Sequence, residues 1–149
     1  MGISYYSENV KTPTFRRRVV SAWIHQVADK YDKEVGEITY LFCDDRKILE
    51  MNRRYLRHDY YTDIITFDQN VGDILFADIV ISLDTVQSNA DEYNQSFEEE
   101  LLRVMIHGIL HLCGLDDHTD EEVSEMRLAE LEALRMLPED LSDVWRKQP

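Results

Sequence analysis

The sequence predicts an α+β fold: a small mixed β-sheet packed with helices, one central buried helix carrying a His-x-x-x-His pair. Three observations lead there. Short β-branched and aromatic runs at 35–43, 64–67 and 73–82 are interspersed with longer helical stretches. The run Asp68-Gln69-Asn70-Val71-Gly72 has turn chemistry and joins two of those strands as a hairpin. The stretch 97–113 is apolar almost all round, as a helix in the middle of a core must be. Helices together with a hairpin favour an α+β layer arrangement.

Taken in order, residues 2–8 suit a first strand. Thr12-Pro13 reads as the start of a helix reaching about Tyr31, with Phe15, Val19, Ala22, Trp23 and Val27 inward. Arg16, Arg17 and Arg18 fall in its first turns, where cations oppose the helix dipole; another use is open to them, with a solvated helix face the favoured reading. His25 lies on a mixed face and is read as exposed and inert. Residues 35–43 form the next strand, and Asp44 caps a helix over 45–56. After the hairpin, Ser82 or Asp84 starts a short helix to about Tyr93. Ser96-x-x-Glu99 opens the central helix, and Gly114 ends it in a left-handed conformation. Thr119-x-x-Glu122 opens a last helix, with Val123, Met126, Leu128, Leu131 and Leu134, ended by Pro138.

The 149 residues suit one domain, spanning 1–149. No run approaches the roughly 18 apolar residues of a membrane helix. The N-terminus lacks the basic start and apolar stretch of a secretory signal. Cys43 and Cys113 cannot build a disulfide framework and are read as packing residues, which suggests a reduced, cytoplasmic setting. The net charge is -14, unevenly placed. Residues 1–57 carry 11 basic and 8 acidic groups; 58–97 carry no basic and 8 acidic; 98–149 carry 5 and 14. A domain-wide basic footprint is missing, so any anionic partner must meet the N-terminal third.

Chemistry concentrates in His107-Gly-Ile-Leu-His111-Leu-Cys-Gly-Leu-Asp-Asp117-His118. Residues i and i+4 lie about 40° apart around a helix, one turn along, so both imidazoles can face one metal ion. Two histidines in an apolar helix are costly unless their ring nitrogens find partners. The stop at Gly114 swings the next loop back, and either Asp117 or His118 can supply a third ligand, leaving a position open for water. The alternative is a pair of hydrogen-bonded core histidines. The helical zinc peptidases place a glutamate base directly after the first histidine; here that residue is Gly108.

At these residues the chain resembles the YbeY family of metal-dependent endoribonucleases, whose motif reads HGxLHLxGxDH. Upstream, Asn52-Arg53-Arg54-Tyr55-Leu56-Arg57-His58-Asp59 is similar to the family's N-x-x-Y-R-x-x-D segment. Tyr61-Thr62-Asp63-Ile64-Ile65-Thr66-Phe67 resembles its PTDVLSF stretch, and Gly72-Asp73-Ile74 its GDI. Three positions depart from the pattern. Asp117 stands where the family has its third histidine, Leu56 where it has an arginine, and Tyr61 where it has proline. An unshifted alignment favours Asp117 as third ligand, with His118 as the rival.

The resemblance implies one zinc ion per chain on His107, His111 and Asp117 or His118. It implies a single-strand-specific endoribonuclease acting in rRNA processing, including maturation of the 16S rRNA 3′ end, and in ribosome quality control. The implied partners are rRNA and the small ribosomal subunit, with neither DNA nor a membrane. Arg57 and His58 are the expected catalytic side chains, and Arg53, Arg54 and Arg57 the expected RNA-binding ones; for these arginines a solvated helix face is the competing reading. Two other functions stay open: a zinc hydrolase of a non-RNA substrate, and a non-catalytic ribosome-associated module with a structural metal.

Overall fold

The computed structural model describes residues 2–57 and 62–146. Its sheet contains β1 (Ile3–Ser7), β2 (Glu34–Cys43), β3 (Ile64–Asp68) and β4 (Ile74–Ser82). The strand order is β1-β2-β4-β3. β1 and β4 run parallel to β2, and β3 returns antiparallel to β4 with Ile64 opposite Ile81. The expected hairpin is therefore present, and the sheet is mixed.

Among the described residues five α-helices, with a short 3-10 turn at Leu141–Asp143, complete the fold: α1 (Arg17–Lys30), α2 (Asp45–Leu56), α3 (Leu83–Glu92), α4 (Phe97–Leu112) and α5 (Asp120–Leu134). The strand period of two sends alternate side chains to opposite faces. Tyr5, Ile38, Tyr40, Phe42, Ile79 and Ile81 meet α1, α3, α4 and α5 in the main core. Cys43, Ile65 and Val80 face the other way and meet Ile48 and Met51 of α2 in a smaller cluster. Thus α2 lies alone on one face of the sheet, and the helix carrying the histidines lies on the other. The Tyr40 hydroxyl donates to Met105 O (2.9 Å), and Trp23 Nε1 donates to Ala133 O (2.7 Å), tying α4 to the sheet and α1 to α5.

The helix starts follow local chemistry. Asp44 accepts from Lys47 N, Ser82 from Thr85 N and Ser96 from Glu99 N. Thr119 and Glu122 form a reciprocal capping box.

One expectation fails. The first helix begins at Arg17 rather than near Thr12. Phe15 instead bridges to Trp145, with Arg16 N donating to Val144 O and Arg146 N to Thr14 O, so this segment spends its backbone groups on the C-terminal chain. Of the residues expected inward, Phe15, Trp23 and Val27 are buried, Val19 packs against the core and only Ala22 is exposed; Val20, Ile24 and Ala28 are buried beside them. In α5, Met126, Ala129, Glu130 and Ala133 are buried, while Leu128 is 57 % and Leu131 52 % exposed. The inward stripe follows the helical period through Glu130 rather than the most apolar residues, because Glu130 pairs with the partly buried Arg103.

Among the described residues no helix is long and apolar enough to cross a membrane. Cys43 and Cys113 are free thiols. Burial pushes them up to about 12 and about 11, where thiolate is scarce at neutral pH.

Candidate metal centre

Helix α4 brings His107 and His111 to the rim of the main core. Its neighbour Gly108 packs on the sheet: a Cβ there would lie 3.1 Å from Ile64 Cδ1 and 3.3 Å from Thr66 Oγ1. The place where a zinc peptidase carries its glutamate is thus turned into the β3–β4 surface. This accounts in packing terms for the glycine.

The end of α4 aims the following loop. Gly114 N donates to His111 O and Leu115 N donates to Leu110 O, the paired bonds of a Schellman turn. Gly114 has φ of 106°, which a side chain would strain. The turn brings Leu115 O to 3.0 Å from His111 Nδ1 and Asp117 Oδ2 to 3.5 Å from His107 Nε2.

On its other side His107 is held by α5. Its Nδ1 lies 2.7 Å from Glu130 Oε2. Glu130 Oε1 also accepts from Arg103 Nη1 (3.1 Å), and Arg103 is clamped by both oxygens of Glu100 (2.8 and 2.6 Å). Glu100 and Glu130 are buried, so these are desolvated charges that need their partners. Burial works to lower the His107 pKa, but Glu130, with Asp117 and Asp63, outweighs it and holds the ring above its ordinary value. For Glu130, burial works upward, and His107 and Arg103 outweigh it, leaving the carboxyl below its ordinary value. A cavity of about 210 Å³ opens here, lined by Asp63, Arg103, His107, Asp117, Arg127 and Glu130 among others. Asp63 has its carboxyl raised, chiefly by burial.

The donor set suits a divalent metal. Both rings place Nδ1 against an oxygen acceptor; in the neutral ring, donation there would leave the Nε2 lone pair for a metal, the arrangement that orients metal-binding histidines. The 3.5 Å between His107 Nε2 and Asp117 Oδ2 is close to the ~3.4 Å edge of a tetrahedron built on zinc bond lengths. Even so, no group of three His, Cys, Asp or Glu side chains among the described residues forms a ready metal site. The pair already brought together is His107 and Asp117. His118 is exposed, and no hydrogen bond or ion pair to it is seen among the described residues.

The expected arginines stand elsewhere. Arg53 and Arg54 line a hollow on α2 with Asp45, Arg46, Leu49 and Glu50, because α2 occupies the other face of the sheet. Arg57 is exposed and ends α2 in the left-handed conformation (φ 56°). His58 lies outside the described residues. Glu130, Arg103, Glu100 and Arg127 were not singled out from the sequence. Glu130 alone gave a signal, as a carboxylate at a buried position of the α5 period.

The family model for Endoribonuclease YbeY matches residues 3–138. The chain belongs to the YbeY endoribonuclease family. Among YbeY relatives, Endoribonuclease YbeY of Porphyromonas gingivalis is 55% identical over 139 residues, covering 93% of this chain and 92% of the relative. That of Azobacteroides pseudotrichonymphae is 44% identical over 137 residues, covering 92% and 99%. The solution structure of TM1509 from Thermotoga maritima superposes with a TM-score of 0.64 at 27% identity, covering 89% of this chain and 87% of that one. The YbeY match takes in every strand and all five helices, so the histidines, Asp117 and Glu130 all lie inside the family domain.

Proposed function

We propose that this chain is a metal-dependent endoribonuclease whose ion is held by His107, His111 and Asp117. The observation that carries the reading is the facing of His107 Nε2 and Asp117 Oδ2 across a cavity, with both imidazoles already oriented through Nδ1. Membership of an endoribonuclease family supplies the reaction class. Zinc, the expected ion, supplies Lewis acidity toward a phosphate oxygen and a lowered pKa for water. The protein's part is to hold and orient. Glu130 fixes the His107 tautomer and ring plane, and Leu115 O does the same for His111. Arg127 places a guanidinium at the same cavity, suited to a phosphodiester and to charge developing on it.

The substrate is single-stranded RNA, and the cellular task is rRNA processing, including maturation of the 16S rRNA 3′ end and ribosome quality control. The enzyme works in the cytoplasm with the small ribosomal subunit as partner. The family resemblance supports this assignment, and so does the basic excess of residues 1–57 in an otherwise acidic chain.

The test is metal stoichiometry and RNA cleavage on wild type, Asp117→Ala and His118→Ala. The reading expects one ion per chain and cleavage of unpaired RNA, both lost in Asp117→Ala and kept in His118→Ala. Loss only in His118→Ala would move the third ligand by one residue. A chain that takes up metal but cuts a peptide and not RNA, or cuts nothing, would overturn the activity.

A further inference from the structure

The face of the sheet that carries α2 is only half covered. Among the described residues α2 packs over β3 and β4, and the β1–β2 side is left open. The register sets the side chains there in two rows. Tyr6, Leu41, Val80 and Ile65 form one, and Ser4, Thr39, Asp78 and Phe67 the other. Between α2 and β1 these rows floor a groove of about 490 Å³, with Tyr6 at one side and Tyr55 with Met51 at the other.

Tyr6 is 59 % and Tyr55 57 % exposed, although both border a largely apolar groove. Each aromatic is accompanied by arginine. At the β1 edge Tyr6 shares a second hollow with Tyr5, Arg17 and Arg18, where the Arg17 guanidinium sits 5.8 Å over the Tyr5 ring. The Arg54 guanidinium sits 5.5 Å over the Tyr55 ring, whose edge meets Phe67 at 5.9 Å. Thr39, Gln69 and Asp78 add hydrogen-bonding groups beside the aromatics. Arg17 and Arg18 oppose the dipole of their own helix, and here they acquire a use.

We infer that this groove binds unpaired nucleobases of the RNA substrate, stacked on Tyr6 and Tyr55, with the phosphates held by Arg17 and Arg18 at one end and Arg54 at the other. Alternating aromatics and cations along a groove is the way single strands are held with little regard to sequence, since every base has a π-face. A duplex keeps its bases stacked inside and cannot use such a surface. The occupant is thus a single strand. The inference rests on the RNA-cleaving reading above and extends it. Strand β3 has one side chain toward the groove and others toward the helix of the metal centre: Phe67 lines the groove and Ile65 packs under α2, while Ile64 and Thr66 lie against Gly108 of α4.

The experiment is fluorescence anisotropy of a labelled oligouridylate with the full chain in EDTA, so that binding is read without cleavage. Tyr6→Ala and Tyr55→Ala are each expected to weaken binding about 5- to 150-fold, the range of one lost base stack. Tyr6→Phe and Tyr55→Phe should stay near wild type, and an RNA duplex should bind more weakly than the single strand. In parallel, 5-iodouridine RNA is photo-crosslinked to wild type; adducts on Tyr6 or Tyr55 are expected. Wild-type binding in both alanine variants with crosslinks confined elsewhere would overturn the inference and leave the groove to a protein partner, while leaving RNA cleavage intact. Absence of RNA binding or cleavage by wild type would instead defeat the underlying reading.

Discussion

Glu130 Oε2 stands 2.7 Å from His107 Nδ1, so a carboxylate of α5 sets the orientation of an imidazole on α4. Its second oxygen is engaged by Arg103, which Glu100 clamps in turn. This network of Glu100, Arg103, Glu130 and the His107 imidazole runs from the core of the α4–α5 interface to the rim where Asp117 lies. It couples helix packing to the donor nitrogen that faces the cavity.

Replacing Glu130 by glutamine keeps the volume and removes the charge. Metal affinity is expected to fall about 10- to 100-fold, the usual effect of losing a carboxylate behind a histidine ligand. Isothermal titration with zinc checks it. Glu130→Ala removes one partner of Arg103, which keeps its two bonds to Glu100, and should cost about 1–3 kcal/mol in urea unfolding. Unchanged zinc affinity in the glutamine variant would remove the orienting role.

The same pair sets a pH dependence for the metal-free protein. His107 is raised above its ordinary 6.5, so its contribution is full below 6.5 and is lost as pH rises through the raised value. Glu130 is depressed below its ordinary 4.5, so its contribution is full above 4.5 and is lost as pH falls through the depressed value. The stability difference between wild type and Glu130→Gln should therefore be largest between those two ordinary values and shrink on either side. Urea midpoints in chelator across acid and alkaline pH measure it. A difference that is constant through alkaline pH would contradict the pairing.

Gly114→Ala places a side chain at φ of 106°. The expected cost is about 1–2 kcal/mol of stability from the strained backbone. The same turn carries Leu115 O to His111 and Asp117 to His107, so weaker zinc binding should accompany the loss. Thermal unfolding with and without zinc separates the two effects; a variant that keeps full zinc affinity would uncouple the turn from the site.

Arg127 lines the cavity beside His107 and Asp117. Arg127→Ala should leave metal stoichiometry unchanged and lower kcat/KM on RNA about 10- to 100-fold, the worth of one charged hydrogen bond to phosphate. Arg127→Lys should restore part of the rate. Equal kcat/KM in wild type and the alanine variant would return the phosphate-holding role to the arginines of α2 or to Arg57.

Strand alternation, hairpin turn chemistry and capping residues determined most of this protein from the sequence by itself. They delimited the strands and all but the first helix start, and they placed His107 and His111 on one helix with a glycine stop behind them. These are local signals, carried within a few residues by backbone preference and hydrogen bonding. The tertiary structure decided what depends on distant segments meeting. Arg16 lost its helical place to a C-terminal segment some 130 residues on, a pairing that no local window contains. Glu130 turned inward because Arg103 and His107 of another helix were there to satisfy its charge, while Leu128 and Leu131 were left outside. Arg53 and Arg54 are basic and close in sequence to the motif that carries the family resemblance. The sheet nonetheless puts them on the face away from the histidines, because which side of a sheet a helix covers is settled by packing and not by its own residues.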